Sequence, residues 1–135
     1  MKIILDTNVL VSALLSPNGA PAATLQLILS GRVVICFDAR ILSEYREVLG
    51  RAKFDFDVRL TEDVLEFLQT EGILVVAVPL DLALPDAADA MFIEVGVAGA
   101  VDHLVTGNLK HFPASQRQCL SVVSPREFIQ TVIEA

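Results

Sequence analysis

Short apolar runs of strand length alternate with longer stretches of helical period along nearly the whole chain, and few folds accept that pattern. Lys2 to Leu5 reads as a strand ending at Asp6; Val9, Leu10, Ala13 and Leu14 then recur at helical spacing until Ser16-Pro17-Asn18-Gly19 breaks the chain. Pro21 opens a second helix with Leu25, Ile28 and Leu29 on one face, closed by Gly31. Val33 to Phe37 is a continuous β-rich run, as expected of a strand buried on both faces, and Asp38 is placed to cap a helix over 39–51. After a linker from Arg51 to Asp57, Thr61 is expected to cap a helix carrying Val64, Leu65 and Leu68, which Gly72 ends. Ile73 to Val78 reads as a third strand and Pro79 to Pro85 as loop; a largely buried helix then runs from Asp86 or Ala87 to Gly99. His103 to Val105 and Leu120 to Val123 bring the strands to five, and Pro125 begins a terminal helix. Strand–helix alternation of this kind predicts a parallel sheet with helices on both faces. Ligands of such sheets gather outside the carboxyl ends of the strands, so polar residues just after a strand carry the most information about function.

The 135 residues fit one domain, 1–135, and a composition 53% hydrophobic and 20% charged supports a real core. Asp6, Thr7 and Asn8 interrupt the first apolar run too early for a signal peptide, and no apolar run reaches the ~18 residues of a membrane span. A cytoplasmic protein with no membrane association is expected. Cys36 and Cys119 both lie in apolar runs without C-x-x-C or Cys/His spacing, which predicts two buried free thiols and argues against zinc. The formal charge of −7 excludes a broad positive surface. A nucleic-acid partner would therefore require metal ions or a local basic patch.

Asp6 stands at the first strand's exit, with Thr7 and Asn8 directly behind it. A helix N-cap would account for the aspartate, but not for three consecutive polar groups. Glu44 lies at the edge of the stripe formed by Ile41, Leu42, Tyr45, Val48 and Leu49, near enough to a helix start to reach over the sheet's end. A solvated glutamate favoured by the helix dipole is the structural alternative. Asp86 and Asp89 are one helical turn apart. Asp86 resembles a cap, and Asp89, followed by the buried run Met91-Phe92-Ile93, is the better candidate for a site. Thr106, Gly107 and Asn108 follow the fourth strand and offer a hydroxyl, a close backbone approach and an amide oxygen. His103 opens a strand and His111 sits in a loop, so neither is expected to act as a general base.

Carboxylates ~4 Å apart repel by roughly 4 kcal/mol per pair at an effective dielectric of 20. Divalent cations relieve that repulsion. Mg²⁺ and Mn²⁺ take hard oxygen ligands, and a pair of such ions supports phosphodiester hydrolysis by activating water and stabilising the leaving oxygen.

The opening MKIILDTNVLVSALLSPNG, followed in order by LSEYREVLGRAKF, PDAADAMFIEVGVAGA, VDHLVTGNLKHF and SPREFI, resembles PIN-domain nucleases over nearly the whole chain. The likeness is greatest to the small VapC-like toxins of toxin–antitoxin pairs. The resemblance implies a Rossmann-like α/β/α sandwich with a five-stranded parallel sheet. It also implies a metal-dependent endoribonuclease whose metal ligands are Asp6, Glu44 and Asp89, with Asn108 in a fourth position that is often Asp in the family. An uncharged amide there implies one tightly held Mg²⁺ or Mn²⁺ ion, with a second recruited by substrate. Thr7, Asn8 and Thr106 match positions that orient ligands or water, with Asp86 supporting. Members often read Asp-Pro-Asp-Asp before the phenylalanine, whereas this chain reads Asp86-Ala-Ala-Asp89. The expected partners are RNA, a cognate antitoxin that enters the acidic groove, and a second copy in a homodimer. Arg46, Arg51, Lys53, Lys110 and Arg117 are the candidate phosphate contacts.

A catalytically silent PIN-like scaffold that binds RNA or a partner is the alternative, and Asn108 is the residue that keeps it open. Phosphatases of the haloacid-dehalogenase type also place Asp at a strand end, but need a second Asp where Asn8 stands; a phosphotransfer receiver wants an acidic pair beside its Asp and a lysine that Lys110 matches only loosely.

Overall fold

The computed structural model describes residues 1–134. Five strands form one parallel sheet in the order β3-β2-β1-β4-β5: β1 (Lys2–Leu5), β2 (Val34–Phe37), β3 (Ile73–Leu74), β4 (His103–Val105) and β5 (Val122–Val123). Six helices connect and cover them: α1 (Thr7–Leu15), α2 (Ala20–Leu29), α3 (Ala39–Leu49), α4 (Val58–Glu71), α5 (Ala90–Ala98) and α6 (Pro125–Glu134). The α/β/α sandwich with a five-stranded parallel sheet is as expected.

β1 is central because its apolar side chains suit burial on both faces. Ile3, Ile4 and Leu5 are fully buried, and the strand pairs with β2 on one side (Ile3 with Ile35) and β4 on the other (Ile4 with Leu104). The chain works outward from β1 to β3 at one edge, then crosses over to β4. The strand order thus reverses between β1 and β4, where a crevice opens at the carboxyl ends. At the β3 edge, Gly72 meets Ile35 so closely that a Cβ would lie 2.9 Å from the Ile35 carbonyl oxygen, which permits only glycine there.

Several expectations are corrected. The third strand stops at Leu74, short of Val78, because its partner β2 ends at Phe37 and only one more bond, Val75 N–H to the Phe37 carbonyl at 2.8 Å, remains available. Val76 and Val78 are consequently solvent-exposed, at 92% and 70%. The fifth strand is likewise shortened to its last two residues. α4 is capped by Asp57, which accepts from the Arg59 and Leu60 N–H groups at 2.8 and 3.4 Å. Thr61 instead lies buried inside that helix, its hydroxyl donating to the Val58 carbonyl at 3.0 Å. Cys36 is buried as expected, but Cys119 is exposed, on a turn where its φ is +65°. Asp38 does cap α3, accepting from Ile41 N–H at 3.0 Å.

Candidate active site

The end of β1 and the end of β4 are stitched together around Asp6. Its backbone N–H donates to the Val105 carbonyl at 2.9 Å, and its carboxylate accepts from the Thr106 hydroxyl at 2.7 Å. Asp6 occupies the N-cap position of α1 without a well-aligned side-chain bond to it, although the Thr7 and Asn8 N–H groups lie near enough to favour its charged form. The strongest hydrogen bond to its carboxylate comes from Thr106 and not from the helix. Asp6 and Thr106 are both buried, at 6% and 0% exposed. Burial, followed by repulsion from Glu44, raises the Asp6 pKa against the lowering effect of the Thr106 bond.

Glu44 reaches this point because α3 is pinned over the sheet's end. Buried Tyr45, its neighbour, donates its hydroxyl to the Leu5 carbonyl, and Thr7 donates to the Glu44 carboxylate. Asn8 braces the opposite wall, its side-chain oxygen accepting from Gly107 N–H at 3.1 Å. A Cβ at Gly107 would meet that oxygen at 3.3 Å, so the small residue keeps the two loops in contact.

Asp89 arrives from the third side. A 3-10 turn, Ala87–Asp89, leads into α5, and Asp86 caps it by accepting from Ala88 N–H at 3.0 Å. The carboxylate of Asp89 caps nothing. Its Oδ2 is buried without a hydrogen-bond partner. Burial, then repulsion from Asp6 and Asp86, pushes this carboxyl up to about 6, with His111 opposing the rise and Glu44 adding to it.

His111 is the residue that sequence reasoning missed. It ends a 3-10 turn, Leu109–His111, that folds back over the crevice, and its Nδ1 stands 3.2 Å from Asp89 Oδ2 without hydrogen-bond alignment. Spacing was the available signal: three residues past Asn108, one short turn returns a side chain to the strand end. Glu94 was also unforeseen. Buried at 6% exposure in α5, it accepts from Arg40 Nη1 at 2.7 Å and from Leu80 N–H at 2.8 Å, so its charge is matched by structure.

Asp6, Thr7, Asn8, Glu44, Asp86, Asp89 and His111 all line one open cleft of about 380 Å³, which Ser12, Arg51 and Phe54 help to wall. Thr106 lies behind it, holding Asp6. Asn108 does not line the cleft; its backbone N–H donates to the Thr106 hydroxyl at 3.0 Å. Among the expected phosphate contacts, Arg46 and Arg51 border a neighbouring cavity between α3 and α4, and Arg51 pairs with Glu47 at 2.9 Å. Lys53 lies 5.0 Å over the Phe54 ring and Lys110 is exposed. Arg117 is committed to the Phe112 carbonyl at 2.7 Å.

The donor set suits a hard divalent cation. Acids from three elements face one cleft, two have raised pKa values, and one buried carboxylate oxygen lacks a partner. Among the described residues no three His, Cys, Asp or Glu side chains stand close enough together to hold an ion as they are placed, so binding one would draw the acids of the cleft inward.

Comparison with known proteins agrees with this architecture. A curated relative, the uncharacterized protein MJ1680 of Methanocaldococcus jannaschii, is 43% identical over 44 residues, a stretch that spans 33% of this chain and 28% of that protein. The fold is shared with VapBC2 from Rickettsia felis bound to a DNA fragment from its promoter, at a TM-score of 0.60 and 16% identity over 92% of this chain and 98% of that one. It is also shared with FitAcB from Neisseria gonorrhoeae, at 0.59 and 21% identity over the same shares. The model of the PIN-domain family matches residues 2–110, and the chain belongs to that family.

Proposed function

We propose that this protein is a metal-dependent endoribonuclease, acting as the toxin of a toxin–antitoxin pair. The observation that carries the reading is the convergence of Asp6, Glu44 and Asp89 on one cleft at the sheet's switch point, with Asp89 Oδ2 buried and without a hydrogen-bond partner. Asp6, Glu44 and Asp89 would hold one or two Mg²⁺ or Mn²⁺ ions. When bound, such an ion supplies an activated water and neutralises charge on the phosphoryl oxygens.

The chain's own residues do the rest. Thr106 fixes Asp6 and Thr7 fixes Glu44, so neither carboxylate must reorganise when charge develops. Asn8 sets the separation of the two loops, Asp86 holds the turn that presents Asp89, and Asn108 supports Thr106 from behind. Arg51 at the cleft wall, Arg46 in the neighbouring cavity, Lys53 beside the wall residue Phe54 and the exposed Lys110 before His111 would be the groups available to substrate phosphates.

PIN-fold neighbours in VapBC and FitAB assemblies support an antitoxin partner. With a charge of −7 and acids lining the cleft, a basic residue of that partner would compete with metal for the site. A homodimer and a cytoplasmic setting belong to the same reading; no helix among the described residues is long and apolar enough to cross a membrane.

The test is cleavage of a total-RNA pool by purified protein with Mg²⁺ or Mn²⁺, beside EDTA and Asp6→Asn controls. Cutting that needs metal and disappears in the variant is the expected result. No cutting by folded, metal-loaded protein free of antitoxin would replace the nuclease by a silent RNA- or partner-binding scaffold.

A further inference from the structure

The cleft holds one nitrogen donor among its oxygens, and that donor is rigidly placed. His111 closes the turn that begins at Asn108, its N–H bonded to the Asn108 carbonyl at 3.1 Å. The next residue, Phe112, is fully buried, packs edge-on to Phe92 of α5 with ring centroids 6.4 Å apart, and has its carbonyl held by Arg117. The turn and the helix carrying Asp89 are thus one packed unit.

Within that unit His111 Nδ1 and Asp89 Oδ2 are 3.2 Å apart, yet they are not aligned as a hydrogen bond. A simple ion pair would direct the ring N–H at the carboxylate oxygen. Two ligands of one ion behave differently, because both lone pairs point at the cation and not at each other. With metal–ligand distances near 2.1 Å, adjacent ligands stand about 3.0 Å apart in octahedral geometry and about 3.4 Å in tetrahedral geometry. The observed spacing falls between those values.

Asn108 offers no competing geometry. It lies outside the cleft lining, and its backbone is engaged with Thr106. We infer that His111 supplies the fourth ligand of the divalent-cation site through Nδ1, in the place the strand-end pattern assigns to Asn108. The site therefore favours ions that accept imidazole nitrogen, such as Mn²⁺ and above all Co²⁺, over Mg²⁺. This rests on the reading of the cleft as a metal site.

The experiment is calorimetric titration of metal-free protein with Co²⁺ and with Mg²⁺ at pH 7.5, without RNA, together with the visible absorption spectrum of the Co²⁺ form. Wild type is expected to bind Co²⁺ at least about tenfold more tightly than Mg²⁺. In His111→Ala the Co²⁺ affinity should fall about tenfold and its spectrum change, while Mg²⁺ affinity moves less than about twofold. Asn108→Ala should keep the wild-type Co²⁺ affinity. His111→Asp, which restores an oxygen donor, should narrow the preference for Co²⁺ over Mg²⁺ and keeps the inference testable if the alanine variant melts early in EDTA. Co²⁺ binding indifferent to His111, an equal loss of both ions, or a loss that follows Asn108 would overturn the inference alone. Failure of wild type to bind either ion would overturn the metal site as well.

Discussion

Asp6 sits at a helix N-terminus, yet the well-formed hydrogen bond to its carboxylate comes from Thr106 at the end of the neighbouring strand. That bond matters most when Asp6 is charged. Thr106→Val removes it and leaves a buried carboxylate short of a donor, at a cost of about 1–3 kcal/mol at neutral pH. The loss should shrink in acid, where a protonated Asp6 needs the donor less; urea unfolding at pH 7.5 and pH 4 measures the difference. An equal loss at both pH values would mean that Thr106 contributes packing only. Asp89 makes a separate prediction, because its carboxyl is raised to about 6 from an ordinary 3.8. Below pH ~4 the group is protonated in both the folded and unfolded chains and costs nothing. Between those values only the folded protein holds the proton, and above about 6 the full penalty of an ionised, crowded Asp89 is present. Metal-free protein should therefore lose stability as pH rises from ~4 to ~7. Asp89→Asn should flatten that slope and stabilise the metal-free chain at pH 7.5 by about 2 kcal/mol, discounted for solvent near the side chain. Chemical denaturation in EDTA across that range checks both sign and size.

α3, α5 and the segment from Val75 to Leu84 are held in mutual register by one charged knot. Arg40 on α3 meets Glu94 on α5 and Asp38 at 2.7 and 2.8 Å, and Glu94 also receives Leu80 N–H. Arg40→Ala strands a buried carboxylate and should cost about 3 kcal/mol, whereas Glu94→Gln, which keeps an acceptor for Leu80, should cost less. Thermal melts that rank the two variants in the opposite order would mean that Glu94 does not depend on Arg40 to balance its charge. The elements most legible in the sequence were those whose signal is local. β1, β2 and β4 are continuous apolar runs with nowhere to lie but a buried sheet, and Asp6 and Thr106 follow from where two of them end. Glu44 followed from the helical stripe it borders. Where partners decide, the sequence was ambiguous. Val75 to Val78 is as β-rich as Val33 to Phe37, but β2 offers no further backbone to pair with. Asp57 and Thr61 are both cap-type residues, and the helix begins at the former because the latter is needed on the buried face. His111 and Asp89 are far apart along the chain. Their proximity depends on Phe112 docking against Phe92, a tertiary event that no local pattern encodes.

At the scale of the whole molecule the excess of acid must be reconciled with a phosphate substrate. Of the groups lining the cleft, four are acids, Asp6, Glu44, Asp86 and Asp89, against one arginine, Arg51, which is shared with Glu47. The fold is thus under electrostatic load where strand ends, helix starts and the β4 turn all meet, and a bound cation would relieve it in the native state alone. By linkage, an ion at a hundred times its dissociation constant stabilises the fold by about 2.7 kcal/mol. For a chain of this length that raises the melting temperature by about 10 °C. The effect must carry the titration of Asp89, since below about pH 6 the ion displaces a proton to reach that oxygen. Each unit below that value weakens binding up to about tenfold, and removes up to about 1.4 kcal/mol of the stabilisation. Melting curves at a fixed 1 mM Mn²⁺ against EDTA should therefore show a clear upward shift at pH 7.5, nearly gone at pH 4.5. A silent scaffold whose acids serve only an antitoxin would give coincident curves at both pH values. A shift of equal size at both would place the ion on some surface group other than Asp89.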